Sequence, residues 1–244
     1  PKTAWPPTSD AAGNTSLSSY DSAERLIKET DRRGYSVHYT YDKADNLIQQ
    51  VDEEKGVYKE KFDAAGNAVV SESPDGGKVE SKYDSYGRLT EEKDAEGLVK
   101  TYEYDKAGNL TKETSPEGKT TRFTYDAAGN LTAKVNPDKT KITYDYDVLG
   151  SLLKKEYSDG SKSVVYGYDA SGNRIEMDDE SGKSHTTYDE LGRVKSYTDG
   201  NGQKLTYSYD EYDRIEKITY PKGREVTYGY DTEDNITRVS DNKG

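Results

Sequence analysis

The sequence of 244 residues lacks cysteine and has little of what fills an ordinary globular core. Without cysteine, neither a disulfide nor a thiolate metal site can form. Only 30% of the residues are hydrophobic and 34% are charged, and no apolar run approaches the length of a membrane-spanning helix. This composition would favour disorder, but 23 tyrosines supply large rings whose hydroxyl groups stay hydrogen-bonded when the rings are half-buried.

Positive charge is also scarce. The chain has 35 lysines and arginines against 47 aspartates and glutamates, which gives a net charge of -12. Nucleic-acid binding depends on a basic patch that neutralises phosphates, so we expect no nucleic-acid partner. The negative charge instead favours solubility of a tyrosine-rich surface.

A pair formed by an aromatic residue and aspartate recurs through the chain. The steps between pairs are 21 residues, except for one of 22 followed by one of 20. Self-similarity at a fixed period is the signature of a repeat protein. We therefore predict eleven repeats over residues 20–244, preceded by an N-terminal cap or degenerate repeat over residues 1–19. The repeats start at Tyr20, Tyr41, Phe62, Tyr83, Tyr104, Tyr125, Tyr146, Tyr168, Tyr188, Tyr209 and Tyr230.

Each repeat contains two turn signals. Glycine stands four residues after the aromatic in seven repeats, and asparagine or arginine follows in ten; a second glycine stands fourteen residues after the aromatic in nine. Aspartate in such a loop accepts backbone N–H bonds, and glycine supplies the positive φ that closes it. Glu24 replaces the first glycine in the first repeat and fits this pattern poorly. The motif therefore predicts a hairpin loop of three to five residues.

The spans between these turns alternate as strands do. In residues 121–125, Phe123 and Tyr125 fall on one face while Arg122 and Thr124 fall on the other. Because a single hairpin is marginally stable, the hairpins must stack. We predict an all-β fold of tandem 21-residue hairpins in a long antiparallel sheet that curves or spirals as it twists. The unequal steps predict bulges near residues 164–167 and a tightened strand at residues 183–187.

The repeated residues are predicted to be structural, with no catalytic, cofactor-binding or metal-binding residue among them. The two histidines, His38 and His185, are far apart, and the acidic pairs need no purpose in so acidic a chain. Calcium sites need several carboxylates that converge on one loop, and one aspartate in each loop here already has a structural role. The predicted structural motif residues are Tyr41, Asp42, Tyr83, Asp84, Gly87, Tyr104, Asp105, Gly108, Asn109, Tyr125, Asp126, Gly129, Asn130, Tyr168, Asp169, Gly172, Tyr188, Asp189 and Gly192.

The motif Tyr-Asp, two free positions, Gly, then Arg or Asn and Leu resembles that of the YD-repeat, or RHS-repeat, proteins, and it covers residues 20–244. This family includes bacterial polymorphic toxins, insecticidal Tc toxin subunits, teneurins and the wall-associated toxin of Gram-positive rods, which the lysine-, acid- and tyrosine-rich composition resembles most. The chain departs from the family in having no Asp-Pro pair, which marks the family's self-cleavage region.

The resemblance implies a hollow shell of hairpins that encloses and presents a C-terminal toxin domain. It implies a non-catalytic segment of a secreted or cell-wall-associated toxin acting in competition between cells. Its partners would be the remainder of its own polypeptide, and no cofactor or membrane span is expected. The alternative is a carbohydrate-binding adhesion module that uses exposed tyrosines, possible partners then being glycans or the cell wall; an enzyme ranks third.

Overall fold

The computed structural model describes residues 8–9 and 15–243, which fold almost entirely into short strands. The chain divides into two compact units, Pro1–Thr120 and Thr121–Gly244. Within the described residues, the single helical element is the 3-10 turn Pro221–Gly223. Within each unit the strands follow one another as a meander, as the repeat predicts.

In the first unit each strand pairs antiparallel with the next in sequence. The strands are β1 (Thr8–Ser9), β2 (Thr15–Tyr20), β3 (Leu26–Thr30), β4 (Ser36–Tyr41), β5 (Leu47–Val51), β6 (Val57–Phe62), β7 (Ala68–Glu72), β8 (Lys78–Tyr83), β9 (Leu89–Lys93), β10 (Val99–Tyr104) and β11 (Leu110–Thr114).

The second unit continues the same order of strands, with the same antiparallel pairing between neighbours. Its strands are β12 (Thr120–Tyr125), whose first residue is the last of the first unit, β13 (Leu131–Val135), β14 (Lys141–Tyr146), β15 (Leu152–Tyr157), β16 (Val164–Tyr168), β17 (Arg174–Asp179), β18 (Gly182–Tyr188), β19 (Val194–Thr198), β20 (Lys204–Tyr209), β21 (Ile215–Thr219), β22 (Glu225–Tyr230) and β23 (Ile236–Asp241).

Each motif aromatic is the last residue of its strand, so each Tyr-Asp pair stands at a hairpin tip, as predicted. A register shift precedes the aromatic in all eleven hairpins. In β10–β11, Glu103 pairs with Lys112 but Tyr104 pairs with Leu110. This bulge places the leucine directly across from the tyrosine, on the same face of the sheet.

The described residues include no completely buried side chain. Among them, Val226 is the one hydrophobic residue in the buried class, with 6% of its surface exposed, and Ser184 and Ser196 are the polar ones. Most strand residues are half-buried, because one layer of short hairpins covers its faces only with its own side chains. Hydrogen bonds and contacts between neighbouring repeats therefore carry much of what holds the fold together.

The two repeats of unequal length differ from the prediction. The extra residue lies in the six-residue loop 158–163. The missing residue, together with one-residue extensions of β17 and β18, shortens the loop between these two strands from the usual five residues to the two-residue turn 180–181. The predicted bulge near residues 164–167 does not absorb the extra residue, because the bulge at Gly167 and Tyr168 is present in every repeat. β16 is in fact one residue shorter than β14. β18 is lengthened to seven residues and pairs regularly with β17, so the predicted tightening is wrong. Length changes are absorbed in loops, which keeps the faces in register.

The N-terminal segment is described only in part. Thr8 and Ser9 of β1 pair with Ser16 and Thr15 of β2, on the edge of β2 that faces away from β3. The other residues of the predicted cap, 1–7 and 10–14, lie outside the described residues. The cap over residues 1–19 stays a prediction.

Candidate functional site

The loop after each motif aromatic has one geometry, shown here by residues 105–109. The Asp105 N–H donates to the Asn109 carbonyl at 2.9 Å, and the Gly108 N–H donates to the Asp105 carbonyl at 3.2 Å. Asp105 Oδ1 accepts the backbone N–H groups of Ala107 and Asn109, both at 2.9 Å. The same aspartate bonds recur in all eleven loops. The predicted turn is confirmed as a five-residue loop.

The fourth loop position adopts the left-handed conformation whichever residue occupies it. Gly108 has φ of 98°, whereas Glu24 has 63° and Asp45 has 67°. Glu24 was the residue that fitted the sequence pattern least, yet its loop closes with the same bonds as the others. The hydrogen bonds of the loop therefore hold a non-glycine residue in the left-handed conformation, which is unfavourable for L-amino acids.

The loop carboxylates are stabilised in their charged form. The Asn109 side chain donates to Asp105 Oδ2 at 3.0 Å, and this bond, with the backbone N–H of Asn109, lowers the pKa of Asp105 below its ordinary value. The pKa of the loop aspartate is lowered in all eleven repeats. For Asp189 and Asp210, burial opposes this shift, and bonds from Arg193 and Arg214 outweigh it.

The motif tyrosine joins one repeat to the one before it. The Tyr104 hydroxyl donates to the carbonyl of Leu89, the first residue of β9 in the preceding repeat, at 2.9 Å. Equivalent bonds of 2.8–3.0 Å are made by Tyr41, Tyr83, Tyr146, Tyr168, Tyr188, Tyr209 and Tyr230. A tyrosine is needed here for its hydroxyl as well as for its ring.

Four repeats place arginine where others have asparagine, and this arginine reaches the next repeat. Arg214 donates to Asp210 Oδ2 within its own loop at 2.8 Å, and to Asp234 Oδ1 of the next loop at 2.7 Å. Its guanidinium lies 4.5 Å from the ring centroid of Tyr230 and 4.9 Å from that of Tyr212. Each such arginine therefore combines an ion pair with stacking on an aromatic face. Arg25, Arg88 and Arg193 likewise stack on the next motif tyrosine.

The predicted motif residues lie where the repeat places them: the tyrosines end strands, and the aspartates, glycines and asparagines build the loops. Sequence reasoning missed the tyrosine hydroxyl bonds between repeats and the arginine contacts. One signal was available, since ten of the eleven motif aromatics are tyrosine and one is Phe62.

Outside the Tyr-Asp loops, the described residues offer only an isolated pair formed by a histidine and a glutamate as a candidate for catalysis. His185 Nδ1 lies 3.9 Å from Glu176 Oε1, and both side chains are exposed. No group of three or more potential metal-ligating side chains occurs in residues 8–9 and 15–243. A helix long and apolar enough to cross a membrane is likewise not found in that part of the chain.

Comparison with known families gives two matches. A family model described as Teneurin YD-shell matches residues 15–165, which is more than half of the chain, and one described as RHS Repeat matches residues 188–225. Both descriptions agree with the resemblance inferred from the Tyr-Asp motif. None of the curated proteins matches the chain in sequence.

Among solved structures, the chain is similar to the crystal structure of TcdB2-TccC3, with 17% identity, a TM-score of 0.44, and coverage of 93% of this chain and 17% of that one. It is also similar to the structure of the Photorhabdus luminescens Tc holotoxin pore, with 17% identity, a TM-score of 0.44, and coverage of 93% and 16%. The chain thus spans about a sixth of the length of these structures' chains.

Proposed function

Because the chain belongs to the Teneurin YD-shell family, we propose that it is a non-catalytic segment of a protein shell, in which stacked Tyr-Asp hairpins form the wall. The finer proposal is that this wall belongs to a secreted bacterial YD-repeat toxin. There it would enclose and present a C-terminal toxin domain during competition between cells. Its partners would then be the other parts of the same polypeptide.

One observation carries the proposal: the side chains that recur from repeat to repeat bind the neighbouring repeats. Tyrosine hydroxyls bond the carbonyls of the preceding repeat, and arginines pair with the loop of the following one. The loop carboxylates are occupied by backbone N–H groups. Repeated groups of this kind specify a surface, whereas catalysis needs one distinct arrangement of nucleophile, acid and base.

The test is limited proteolysis of the full-length parent polypeptide, with cleavage sites mapped by mass spectrometry. We expect the segment after the repeats to be resistant in the wild type. It should become sensitive when Asp105→Ala and Asp126→Ala open two loops that follow one another in the sequence. The matched control is Lys106→Ala, an exposed residue of the same loop. Cleavage of that segment in the wild type, as fast as in the loop variant, would contradict enclosure.

A second candidate function, glycan binding, is favoured by the exposed tyrosines at two loop tips. Tyr86 is 82% exposed and Tyr212 is 67% exposed, and each lies about 5 Å from an arginine, so that one ring face remains open to a sugar. A glycan array on the folded chain tests this reading. Binding that disappears in both Tyr86→Ser and Tyr212→Ser, with the circular dichroism spectrum unchanged, would favour adhesion over the structural role.

A further inference from the structure

Two consecutive Tyr-Asp loops of the second unit carry large apolar residues at their tips. Most tips present small residues such as Ala44, Ala65 and Ala107, whereas Leu191 is 72% exposed and Tyr212 is 67% exposed. The loop bonds use only the backbone N–H of Leu191 and of Tyr212, so loop closure does not require their side chains. Exposed apolar side chains side by side indicate an interaction surface.

The same tips are strongly acidic. Glu190 precedes Leu191, Glu211 precedes Tyr212, and Glu233 occupies the tip of the following loop. The three loops 189–193, 210–214 and 231–235 contain eight carboxylates and two guanidiniums, a net charge of -6. Both guanidiniums are already paired with aspartates. Loops 42–46 and 63–67, by contrast, hold three carboxylates and one lysine.

The distance between successive loop tips indicates which secondary structure a partner needs in order to contact both. Successive loops are two strands apart, about 9.6 Å in a β-sheet. Seven residues of an α-helix advance about 10.5 Å and return to the same helix face. An extended segment covers the same distance in three residues, but the third residue then points to the opposite side. A helix can therefore present apolar residues to both tips at once.

We propose that Glu190, Leu191, Glu211, Tyr212 and Glu233 form an acidic tip surface that docks a basic amphipathic helix of a partner polypeptide. Apolar residues one heptad apart contact Leu191 and Tyr212, and flanking lysines or arginines pair with the glutamates. This interaction is independent of whether the wall encloses a toxin domain, and it requires only that the hairpins be folded.

The experiment measures fluorescence anisotropy of labelled peptides titrated with the whole chain. One peptide of lysine and leucine has its leucines on one helix face at heptad spacing. A second has the same composition in an order that leaves no apolar face. We expect the amphipathic peptide to bind about tenfold tighter than its isomer, with an affinity that falls as salt rises. The paired substitution Leu191→Ser with Tyr212→Ser should abolish this preference, and Glu190→Gln with Glu211→Gln should weaken the salt dependence.

Two loop tips provide matched controls, because they are apolar without an adjacent free carboxylate. Leu149 is 86% exposed beside Val148, and Tyr86 is 82% exposed beside Ser85. Leu149→Ser and Tyr86→Ser should leave peptide binding unchanged. Equal binding of the two isomers, equal loss in the controls, or tighter binding of a basic proline-rich peptide would overturn the proposal. So would self-association of the chain that the Leu191 and Tyr212 substitutions abolish.

Discussion

The two edges of the hairpin sheets differ in how much variation they tolerate. On the edge formed by the Tyr-Asp loops, all eleven loops have five residues and the same bonds. On the opposite edge, formed by the loops after odd-numbered strands, lengths range from the two-residue turn 180–181 to the six-residue loop 158–163. The Tyr-Asp edge also holds the tyrosine and arginine bonds between repeats. Length changes therefore fall on the edge where they break the fewest bonds.

Along the Tyr-Asp edge, a junction is the contact between one loop and the next. Junctions after a loop that ends in arginine differ from those after a loop that ends in asparagine in which residue the next loop has at its left-handed position. Asp45, Asp213 and Asp234 occupy the left-handed position, and each follows a repeat with arginine, which pairs with it. After Asn67 the same position is Gly87, where an added Cβ would lie 3.2 Å from Asn67 Oδ1. An arginine thus favours a carboxylate in the next loop, whereas an asparagine oxygen disfavours one.

Of the changes considered, lowering the pH should reduce the Tm most, because it protonates the aspartates of all the Tyr-Asp loops. The folded-state pKa of each loop aspartate lies below the reference value of 3.8, so the charged loops stabilise the fold above about pH 4. This stabilisation is lost as pH falls below that value, through the folded-state pKa. We expect the Tm to be nearly constant from pH 7 to 5 and to fall steeply below pH 4, as measured by circular dichroism.

A variant sharpens this expectation. Replacing two loop aspartates, Asp105→Asn with Asp126→Asn, should lower the Tm at pH 7, and the difference from the wild type should shrink as the pH falls. Glu190→Gln, at an exposed carboxylate on a loop tip, serves as the control. A Tm difference that stays constant down to pH 3 would show that the loop carboxylates do not account for the acid response.

A one-residue insertion tests the difference between the edges directly. Inserting glycine between Ala107 and Gly108 breaks the aspartate bonds of a Tyr-Asp loop and moves Asn109 away from Asp105. We expect the Tm to fall by about 5–10 °C. The same insertion between Glu117 and Gly118 of the opposite-edge loop 115–119 disturbs the backbone bond from Gly118 to Ser115 but breaks no aspartate bond. It should therefore lower the Tm by less than about 5 °C, since the added loop length itself costs little. Equal losses would remove the distinction between the edges.

Gly200 tests a place where the backbones of two opposite-edge loops lie close together. A Cβ at Gly200 would lie 2.0 Å from the Ser181 carbonyl oxygen, at the shortened turn. Gly200→Ala must push the two loops apart and should destabilise the chain by about 1–3 kcal/mol in chemical denaturation. At the same loop position another repeat has Ala95, and Ala95→Gly should cost less than about 1 kcal/mol. A neutral Gly200→Ala would mean that the loops do not approach so closely.

The period and the turn residues predict most of the fold, because strand alternation and loop closure are local properties. Three features are not local. The acceptor for the Tyr104 hydroxyl is a backbone carbonyl, which leaves no side-chain signature at Leu89. Gly200 is required by the backbone of a loop in another hairpin. The unequal steps in the sequence identify which repeats change length. Whether the added or missing residue falls in a strand or in a loop depends on the hydrogen bonds that each edge of the sheet would lose.

The pairing of arginine with aspartate predicts that the same substitution, glycine to aspartate, lowers the Tm by different amounts at two loop positions. Arg88 Nη1 lies 3.9 Å from the position of a Cβ at Gly108, so Gly108→Asp gains an ion-pair partner. Gly87→Asp instead meets the Asn67 side-chain oxygen at 3.2 Å. Both substitutions pay about 1 kcal/mol for a left-handed residue with a side chain. We expect Gly87→Asp to lower the Tm more than Gly108→Asp, and the reverse order would contradict the junction rule.

The smallest change in stability should come from a single tyrosine hydroxyl. It can be measured in both directions, by removing a hydroxyl at Tyr104 and by adding one at Phe62. Tyr104→Phe removes the bond to the Leu89 carbonyl and should destabilise by about 1 kcal/mol in urea unfolding. Phe62 is the one motif aromatic without a hydroxyl, and the matching carbonyl fifteen residues earlier belongs to Leu47. Phe62→Tyr should therefore stabilise by up to about 1 kcal/mol, because the ring already has the position that its neighbours use. If Phe62→Tyr is neutral while Tyr104→Phe is destabilising, the bond depends on the particular repeat. If both are neutral, the tyrosines join the repeats through their rings alone.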